Sequence, residues 1–249
     1  MPSFFPTAAI QEPRDAPVYR SYVSGVATSI TATLFLICGN LSSSALITSS
    51  AALTADASAA GSDLYDFDAA TGDLTDLTPD STHAGSAGVL GVFGASNDGS
   101  YVYFLATGAL ASGAIAGNDN IFVWHNGTTT FIGALTSDAS EIAGNIGGGM
   151  GLDWQVSPDG LGFGFLFKGA IGGPQAENAQ PYNQAYYYDA GTGTLTCASC
   201  LPNAGTPTGP VSFNADDTGA PVLGGMVSGE QFVTDGGRLF FNTPKKLGP

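Results

Sequence analysis

The stretch SPDGLGFGFLFKGAI, residues 157–171, joins a polar turn containing Asp-Gly to a run of aromatic residues and a tail of small ones. The same design occurs twice more, as SNDGSYVYFLATGAL at residues 96–110 and as TDGGRLFFNTPKKL at residues 234–247. Self-similarity over some tens of residues is typical of repeat architectures. The sequence therefore predicts a fold built from repeated units.

Each unit is expected to contain four short strands, of which the first precedes the Asp-Gly turn and the second follows it. The second strands end at Leu53, Leu110, Ile171 and Leu247, which are separated by 57, 61 and 76 residues. The third strands close with an aromatic residue and cover residues 64–67, 121–124 and 185–188. A turn such as Asn126-Gly127 then leads into the fourth strand, because Asn-Gly is a strong signal for a two-residue hairpin.

Four antiparallel strands per unit, with glycines and aromatic residues at fixed places, are typical of a β-propeller blade. We expect an all-β, propeller-like array of four-stranded antiparallel blades. Small residues at the tail of the second strand would let neighbouring blades approach each other. The alternative is a β-sandwich in which similar turns recur by coincidence.

Two sets of motifs resemble a known family. The turn SPDG at residues 157–160, followed by YYYDAGTGTLT at residues 186–196, is similar to the TolB-like, WD-type propeller repeats of secreted and periplasmic bacterial proteins. Residues 64–80 and 193–209 are similar to repeats of large actinobacterial proteins of unassigned function. The resemblance covers residues 44–249 and implies a propeller fold and a secreted, periplasmic or cell-surface location, but it carries no catalytic signature.

The number of units predicts an incomplete array. About three and a half units are recognisable, whereas complete propellers usually hold four to eight blades. We expect residues 44–249 to form the repeat domain and residues 1–43 to form an atypical N-terminal segment or leader. A ring would close by pairing residues 64–78 with residues 226–242. Without closure, open sheet edges predict either a symmetric homodimer joined edge to edge or a fragment of a longer propeller.

The first sixty residues allow two interpretations. Arg14 and Arg20 precede an apolar stretch, and the small residues 55–59 would suit a signal-peptide cleavage site. Cleavage there would cut through a repeat unit, however, because residues 46–68 align with residues 103–125. No run reaches the roughly 18 uninterrupted apolar residues of a membrane span.

The charge composition indicates which classes of binding partner are unfavourable. The chain has 6 Lys and Arg against 21 Asp and Glu, which gives a formal net charge of −15. Such a surface repels phosphate backbones, so nucleic acids and anionic membranes are excluded as expected partners. Hydrophobic residues at 43% together with 36 dispersed glycines favour a globular protein with many short strands and turns.

Cys197 and Cys200 form a C-x-x-C motif. It could be a redox pair or half of a metal site, but no βαβ pattern surrounds it and no further ligands stand at metal-site spacing. We expect a structural disulfide, or a pair of packed thiols, that closes the turn after the last strand of a blade. Cys38 is the third cysteine of the chain.

The two histidines, His83 and His125, are the candidate general bases, because an imidazole titrates near neutral pH without large perturbation. His125 occupies the position where other units have Asp68 and Asp189. Its simpler interpretation is a side chain that caps a turn by hydrogen bonding. His83 lies in a predicted loop, where a solvated side chain is the default.

An acidic run from Asp63 to Asp80 suggests calcium, since hard cations prefer oxygen ligands. Its spacing does not match the D-x-D-x-D-G loop of a helix–loop–helix site. The candidate ligands are Asp66 and Asp68 in this run and Asp119 in the loop AGNDN. We expect no other cofactor, and any calcium would bind weakly and serve stability. The alternative is that these carboxylates are polar faces of exposed strands and turns.

The function expected from these features is that of a secreted bacterial propeller-type binding or scaffolding module for a protein, glycan or small-molecule ligand. The alternative is a secreted hydrolase or lyase with its site in the central channel or on the loop face. An enzyme should gather polar side chains, including one of the histidines, in a concave pocket. A scaffold should present an apolar or aromatic patch, or an open sheet edge.

Overall fold

The computed structural model describes residues 32–36, 44–58, 60–136, 153–174, 177–200, 209–213 and 231–244. These residues form thirteen strands and one short 3₁₀ turn, Asp80–Thr82. The strands are β1 (Ala32–Leu36), β2 (Ser44–Ser49), β3 (Asp63–Asp68), β4 (Leu74–Asp76), β5 (Val89–Ala95), β6 (Tyr101–Ala106), β7 (Asp119–His125), β8 (Thr128–Thr136), β9 (Trp154–Val156), β10 (Gly162–Phe167), β11 (Ala170–Gly172), β12 (Gln184–Asp189) and β13 (Thr194–Cys197). The predicted all-β fold is confirmed.

The strands form three antiparallel sheets. Their orders are β1-β2-β3-β4, then β11-β8-β7-β6-β5, and then β13-β12-β10-β9. In each sheet, four strands follow one another in sequence order, as in a propeller blade. The predicted unit is therefore confirmed in the second and third sheets, with β5 and β9 before the Asp-Gly turn and β7–β8 and β12–β13 as the closing hairpins.

The first sheet extends beyond the boundary expected at residue 44. Strand β1 pairs with β2 along its whole length, from Ala32↔Ser49 to Leu36↔Ala45. Residues 32–36 thus supply the innermost strand of the first sheet. The leader interpretation concerned residues 1–43, of which residues 1–31 and 37–43 lie outside the described residues, and it stays a prediction.

The Asp-Gly turns share one pattern of hydrogen bonds. Ser96 Oγ donates to Asp98 Oδ1 at 2.6 Å and accepts from the amide of Tyr101 at 2.9 Å. Ser157 Oγ repeats this, donating to Asp159 Oδ1 at 2.5 Å and accepting from the next strand's first amide at 2.8 Å. The glycine at the fourth position of each turn has a positive φ, 73° and 77°, which suits a residue without a Cβ.

The alternation of glycine and phenylalanine in β10 explains how the third sheet packs on both faces. Phe163 and Phe165 point into the core shared with the second sheet. On the other face, a Cβ atom at Gly164 would lie 2.7 Å from side-chain carbons of Val233 and Leu239. Successive side chains of a strand point to opposite faces. One face of β10 therefore carries the bulk, and the other admits the hairpin of residues 231–242.

Hydrogen bonds between successive turns join neighbouring units. The amide of Asn97 donates to the carbonyl of Pro158 at 2.8 Å, and the amide of Asp159 donates to Asp235 Oδ1 at 2.9 Å. Gln155 Oε1 accepts from two consecutive amides of the terminal hairpin, those of residues 232 and 233, at 2.7 and 2.8 Å. Each unit is thus tied to the next near the innermost strands.

The described residues do not close the array into a ring. Residues 64–78 contain β3 and β4, and β3 pairs with β2 and β4. The terminal hairpin pairs internally, with Val233 opposite Leu239, and through Asn242 with Ser212. The pairing of residues 64–78 with residues 226–242 that ring closure would require is therefore not formed by the described part, residues 231–242, and the array is incomplete as expected. The physical reason is that the glycine face of β10 already holds this hairpin, so the three sheets form an open, propeller-like array.

Candidate functional site

The array has two unlike ends. At one end, which we call the turn end, the connections within the described residues are turns of two to five residues: 69–73, 96–100, 126–127, 157–161 and 190–193. At the opposite end, the loop end, the stretches between strands are 12 to 16 residues long: 50–62, 77–88, 107–118 and 168–183, the last of which contains the short strand β11. Long surface loops on a rigid scaffold are where binding residues concentrate. The loop end is therefore the candidate site.

His125 lies at the turn end, as the last residue of β7. Its Nδ1 is 2.9 Å from the carbonyl of Ser100, which can only accept, so Nδ1 carries the proton. Nε2 then accepts from the side-chain Nδ2 of Asn126 at 3.0 Å. The imidazole also stacks on Tyr101, with ring centroids 3.8 Å apart. Both ring nitrogens are thus engaged in holding the corner of the second sheet.

The residues equivalent to His125 also cap turns. Asp68 Oδ1 accepts hydrogen bonds from the amides two and three residues ahead, at 2.7 and 3.3 Å. Asp189 Oδ1 does the same at 2.8 and 3.2 Å. These carboxylates close the outer hairpins of the first and third sheets, as Asx-type turns do.

His83 lies at the loop end, in the connection between β4 and β5. Its Nε2 is 3.1 Å from the carbonyl of Thr78, and its Nδ1 is buried without a hydrogen-bond partner. A seven-residue strand such as β7 spans about 20 Å. The structure therefore places the two candidate bases at opposite ends of the array and does not bring them together.

The loop end of the first sheet is rich in carboxylates. Asp63, the first residue of β3, is 1% exposed. Its Oδ2 accepts from the amide of Ser58 at 2.9 Å and from the hydroxyl of Tyr65 at 3.4 Å. Around it, hydroxyl groups hold three further carboxylates, in the pairs Ser58–Asp80, Thr54–Asp76 and Ser81–Asp56. The two loops 50–62 and 77–88 are therefore joined through acidic side chains.

Burial changes the ionisation of this region. The pKa of Tyr65 is raised to about 12, chiefly by burial and in smaller part by the charges of Asp63 and Asp76, while the hydrogen bond from the Leu53 amide opposes the shift. Burial also raises the pKa of Asp76, although hydrogen bonds from the Thr78 amide and a threonine hydroxyl oppose the shift. The loop end thus disfavours additional negative charge.

The three candidate calcium ligands are dispersed. Asp66 lies in the middle of β3, where burial raises its pKa and the Ser44 hydroxyl opposes that shift. Asp68 caps a turn at the turn end, and Asp119 begins β7 at the loop end. Among the residues that the structure describes, no three His, Cys, Asp or Glu side chains are grouped so as to hold a metal ion. A calcium site built on these three residues stays untested and has no assembled geometry.

Cys197 and Cys200 are joined by a disulfide with a Cα–Cα distance of 5.4 Å. Between them, Ser199 Oγ accepts from the amide of Ala185 at 2.9 Å and donates to Gln184 Oε1 at 2.9 Å. The C-x-x-C segment at the end of β13 is thus bonded to the beginning of β12, at the loop end of the third sheet. Cys38 lies outside the described residues.

Two exposed apolar side chains lie at the loop end. Ile115 is 63% exposed and Tyr182 is 41% exposed, each in a connection between the second and third strands of a unit. At the turn end, Leu161 is 39% exposed. No sequence signal separates these residues from the buried apolar majority, because their exposure depends on how the loops fold.

Comparison with solved structures gives a distant likeness. No protein-family model matches the chain, and no curated protein sequence matches it. Among solved structures, TolB from Acinetobacter baumannii is similar, with 17% sequence identity and a TM-score of 0.33. The match covers 66% of this chain and 32% of that protein, so the chain spans about a third of its length.

No helix among the described residues is long and apolar enough to cross a membrane.

Proposed function

We propose that this protein is a propeller-type binding or scaffolding module that contacts its ligand through the loop end. The observation that carries the proposal is the asymmetry between the two ends. The turn end is made of short turns whose Asp, Ser and His side chains are engaged in capping, as Asp68, Asp98 and His125 illustrate. The loop end has the long connections that can vary in shape without disturbing the sheets.

The expected ligand is a protein, glycan or small molecule. Ile115 and Tyr182 offer apolar and aromatic contact area in the loop-end surface, and tyrosine is favoured in binding sites because its ring packs while its hydroxyl hydrogen-bonds. The net charge of −15 favours neutral or cationic ligands over nucleic acids and anionic membranes.

We further propose that the protein works outside the cytoplasm, in a secreted, periplasmic or cell-surface location. The disulfide between Cys197 and Cys200 supports this, because disulfides persist in oxidising compartments. The hydrolase or lyase alternative has no arrangement of described residues in its favour, since the two histidines lie at opposite ends and hydrogen-bond to local backbone carbonyls. Turnover assays on ester, glycoside and lactone substrates, with His83→Ala and His125→Ala, test it.

The binding proposal is tested by probing glycan and peptide arrays with the full chain and with the double variant Ile115→Ser/Tyr182→Ser. The matched control is Leu161→Ser, which removes an exposed apolar side chain from the turn end. We expect array signals that the loop-end variant loses and the control retains. Signals that depend on Leu161, or that survive the double variant unchanged, contradict the assignment of the loop end.

A further inference from the structure

Four buried side-chain atoms without a hydrogen-bond partner lie between residues 63 and 86. They are Asp63 Oδ1, Asp66 Oδ1, His83 Nδ1 and Ser86 Oγ. Buried polar atoms are nearly always paired, so each such atom requires a physical explanation. Three of them, all but Asp66 Oδ1, belong to the loop end, where the loops 50–62 and 77–88 meet.

Among these groups, Asp63 is a carboxylate, so it requires compensation for a buried charge as well as hydrogen-bond partners. Its side chain is 1% exposed, and only one of its two carboxylate oxygens is satisfied. Oδ2 accepts two hydrogen bonds, from the Ser58 amide and the Tyr65 hydroxyl. Burying a carboxylate without a counter-charge is strongly unfavourable.

No basic side chain of the neighbouring sequence supplies that counter-charge. The chain has no lysine or arginine between Arg20 and Lys168. The nearby charged groups are carboxylates, and the charges of Asp63 and Asp56 both act to raise the pKa of Asp76. A cation bound at Asp63 would supply the missing counter-charge.

The unpaired oxygen marks where such a cation would bind. A cation at Asp63 Oδ1 would neutralise the carboxylate and would also occupy the oxygen that has no hydrogen-bond partner among the described residues.

Ser86 supplies a second oxygen in the same region. Its Oγ is buried without a partner and lies against Gly61, where an added Cβ would be closer than any normal contact. The adjoining amide of Ala87 reaches Ser58 Oγ at 3.4 Å, and the amide of Ser58 is the group that bonds Asp63. The loop that carries Ser86 therefore packs directly against the loop that leads into Asp63.

We propose that the loops 50–62 and 77–88 bind one calcium ion, with Asp63 Oδ1 as its carboxylate ligand and Ser86 Oγ as a hydroxyl ligand. Loop carbonyl groups complete such oxygen-rich sites in proteins. One carboxylate that binds the ion directly is compatible with the absence of any group of three His, Cys, Asp or Glu side chains in the described ranges. The ion would hold two loops of the loop end together.

Terbium luminescence tests this directly on the full chain, because Tb³⁺ replaces Ca²⁺ at oxygen sites and emits when a nearby tyrosine transfers its excitation. The Tyr65 hydroxyl lies 3.4 Å from Asp63 Oδ2, so Tyr65 is placed to sensitise an ion bound there. We expect tyrosine-excited Tb³⁺ emission that Ca²⁺ displaces. Tyr65→Phe should lose most of this emission while calorimetry still detects binding.

The variants locate the site. Asp63→Asn should weaken binding of Tb³⁺ and Ca²⁺ by about tenfold or more, which corresponds to about 1.4 kcal/mol. Asp98→Asn, the same change at the turn end, should leave it unaltered. If Asp63→Asn does not fold, as judged by circular dichroism, Ser86→Ala serves as the second variant and should weaken binding.

Three results would overturn the proposal. They are an absence of Ca²⁺-displaceable emission in the unmodified chain, binding that Asp63→Asn and Ser86→Ala leave unchanged, and displacement by Zn²⁺ that depends on His83 and is stronger than displacement by Ca²⁺. The last result would identify a nitrogen-containing zinc site instead, since imidazole suits zinc rather than calcium.

Discussion

At the scale of single residues, the absence of a side chain decides the packing of the third sheet. Gly162 and Gly164 occupy the face of β10 that receives the terminal hairpin, and Ala185 of β12 joins them in that small core. The neighbouring Phe163 and Phe165 stack at 5.1 Å on the opposite face. A strand can be bulky on one face and flat on the other because its side chains alternate.

Gly164→Ala should therefore destabilise the protein. The added Cβ would lie 2.7 Å from carbons of both Val233 and Leu239, and overpacking a core typically costs about 1–3 kcal/mol. Urea unfolding of the variant and the unmodified chain measures the change in the free energy of unfolding. Gly236→Ala is the control, since its Cβ would meet only an ordinary contact at 3.8 Å, and an equal loss in both variants would contradict the packing argument.

Asp98 should make stability depend on acid pH. The Ser96 hydroxyl, and then the amide and hydroxyl of Ser100, hold the pKa of Asp98 below its ordinary value of 3.8. The hydrogen bonds are therefore at full strength above the ordinary pKa, and their contribution is lost as the pH falls through the lowered one. Because Asp98 is largely exposed, we expect less than about 1 kcal/mol.

The measurement is the free energy of unfolding from neutral to acid pH, for the unmodified chain and for Asp98→Asn. The difference between the two should shrink as the pH falls below 3.8. A difference that stays constant over this range would mean that the carboxylate does not act through its charge.

At the scale of elements, neighbouring units are joined in two ways, by a side chain that hydrogen-bonds to backbone amides and by a strand that pairs with the sheet of another unit. Gln155 of β9 accepts from two backbone amides of the terminal hairpin. Strand β11 leaves its own unit and pairs with β8 of the second sheet, from Ala170↔Thr136 to Gly172↔Ala134. Both features bind a unit to its neighbour in addition to the apolar cores between them.

Gln155→Leu should loosen the terminal hairpin, because it leaves the amides of Phe232 and Val233 without their acceptor. An unpaired buried donor costs about 1–3 kcal/mol. Hydrogen exchange at these two amides should become faster, while amides of β6 and β7 keep their protection. Gln155→Glu retains an accepting oxygen and is the matched control; equally fast exchange in both variants would contradict the role of that oxygen.

Replacing Cys197 and Cys200 by serine should lower stability without affecting binding. For so short a loop, the chain-entropy model predicts a loss of about 2 kcal/mol. Thermal unfolding with and without a reductant measures the loss, and the arrays described above measure binding. A folded double variant that no longer binds would show that the disulfide belongs to the site.

At the scale of the whole molecule, three sheets and a hairpin are stacked in sequence order with an apolar core at each junction. The stack is open. Leu239 and Phe241 have no backbone hydrogen-bond partner among the described residues, and Phe240 between them is 54% exposed. An exposed apolar strand edge is a template for pairing with another chain.

We therefore expect the protein to self-associate, most simply as a symmetric dimer joined edge to edge. Light scattering at micromolar concentration should give twice the chain mass, and Phe240→Asp should reduce it to the mass of one chain. Leu161→Asp at the turn end should leave the dimer intact. A compact monomer of the unmodified chain would mean that this edge is satisfied in another way.

The sequence by itself determined the all-β class, the repeated four-stranded unit, and the positions of the Asp-Gly turns and outer hairpins. These are local features, since a turn with glycine at a positive φ and a strand with alternating residues depend on a few neighbouring residues. The turn-capping interpretation of Asp68 and Asp189 could be predicted for the same reason.

Only the tertiary structure decided which distant residues meet. It separated His83 from His125 and moved β11 into a neighbouring sheet. It also placed the terminal hairpin on the glycine face of β10 instead of against residues 64–78. The unpaired oxygen of Asp63 was likewise invisible in the sequence, because burial and hydrogen bonding depend on how two loops far apart in the chain pack. Contacts of this kind are set by the fit of whole surfaces, which no local pattern encodes.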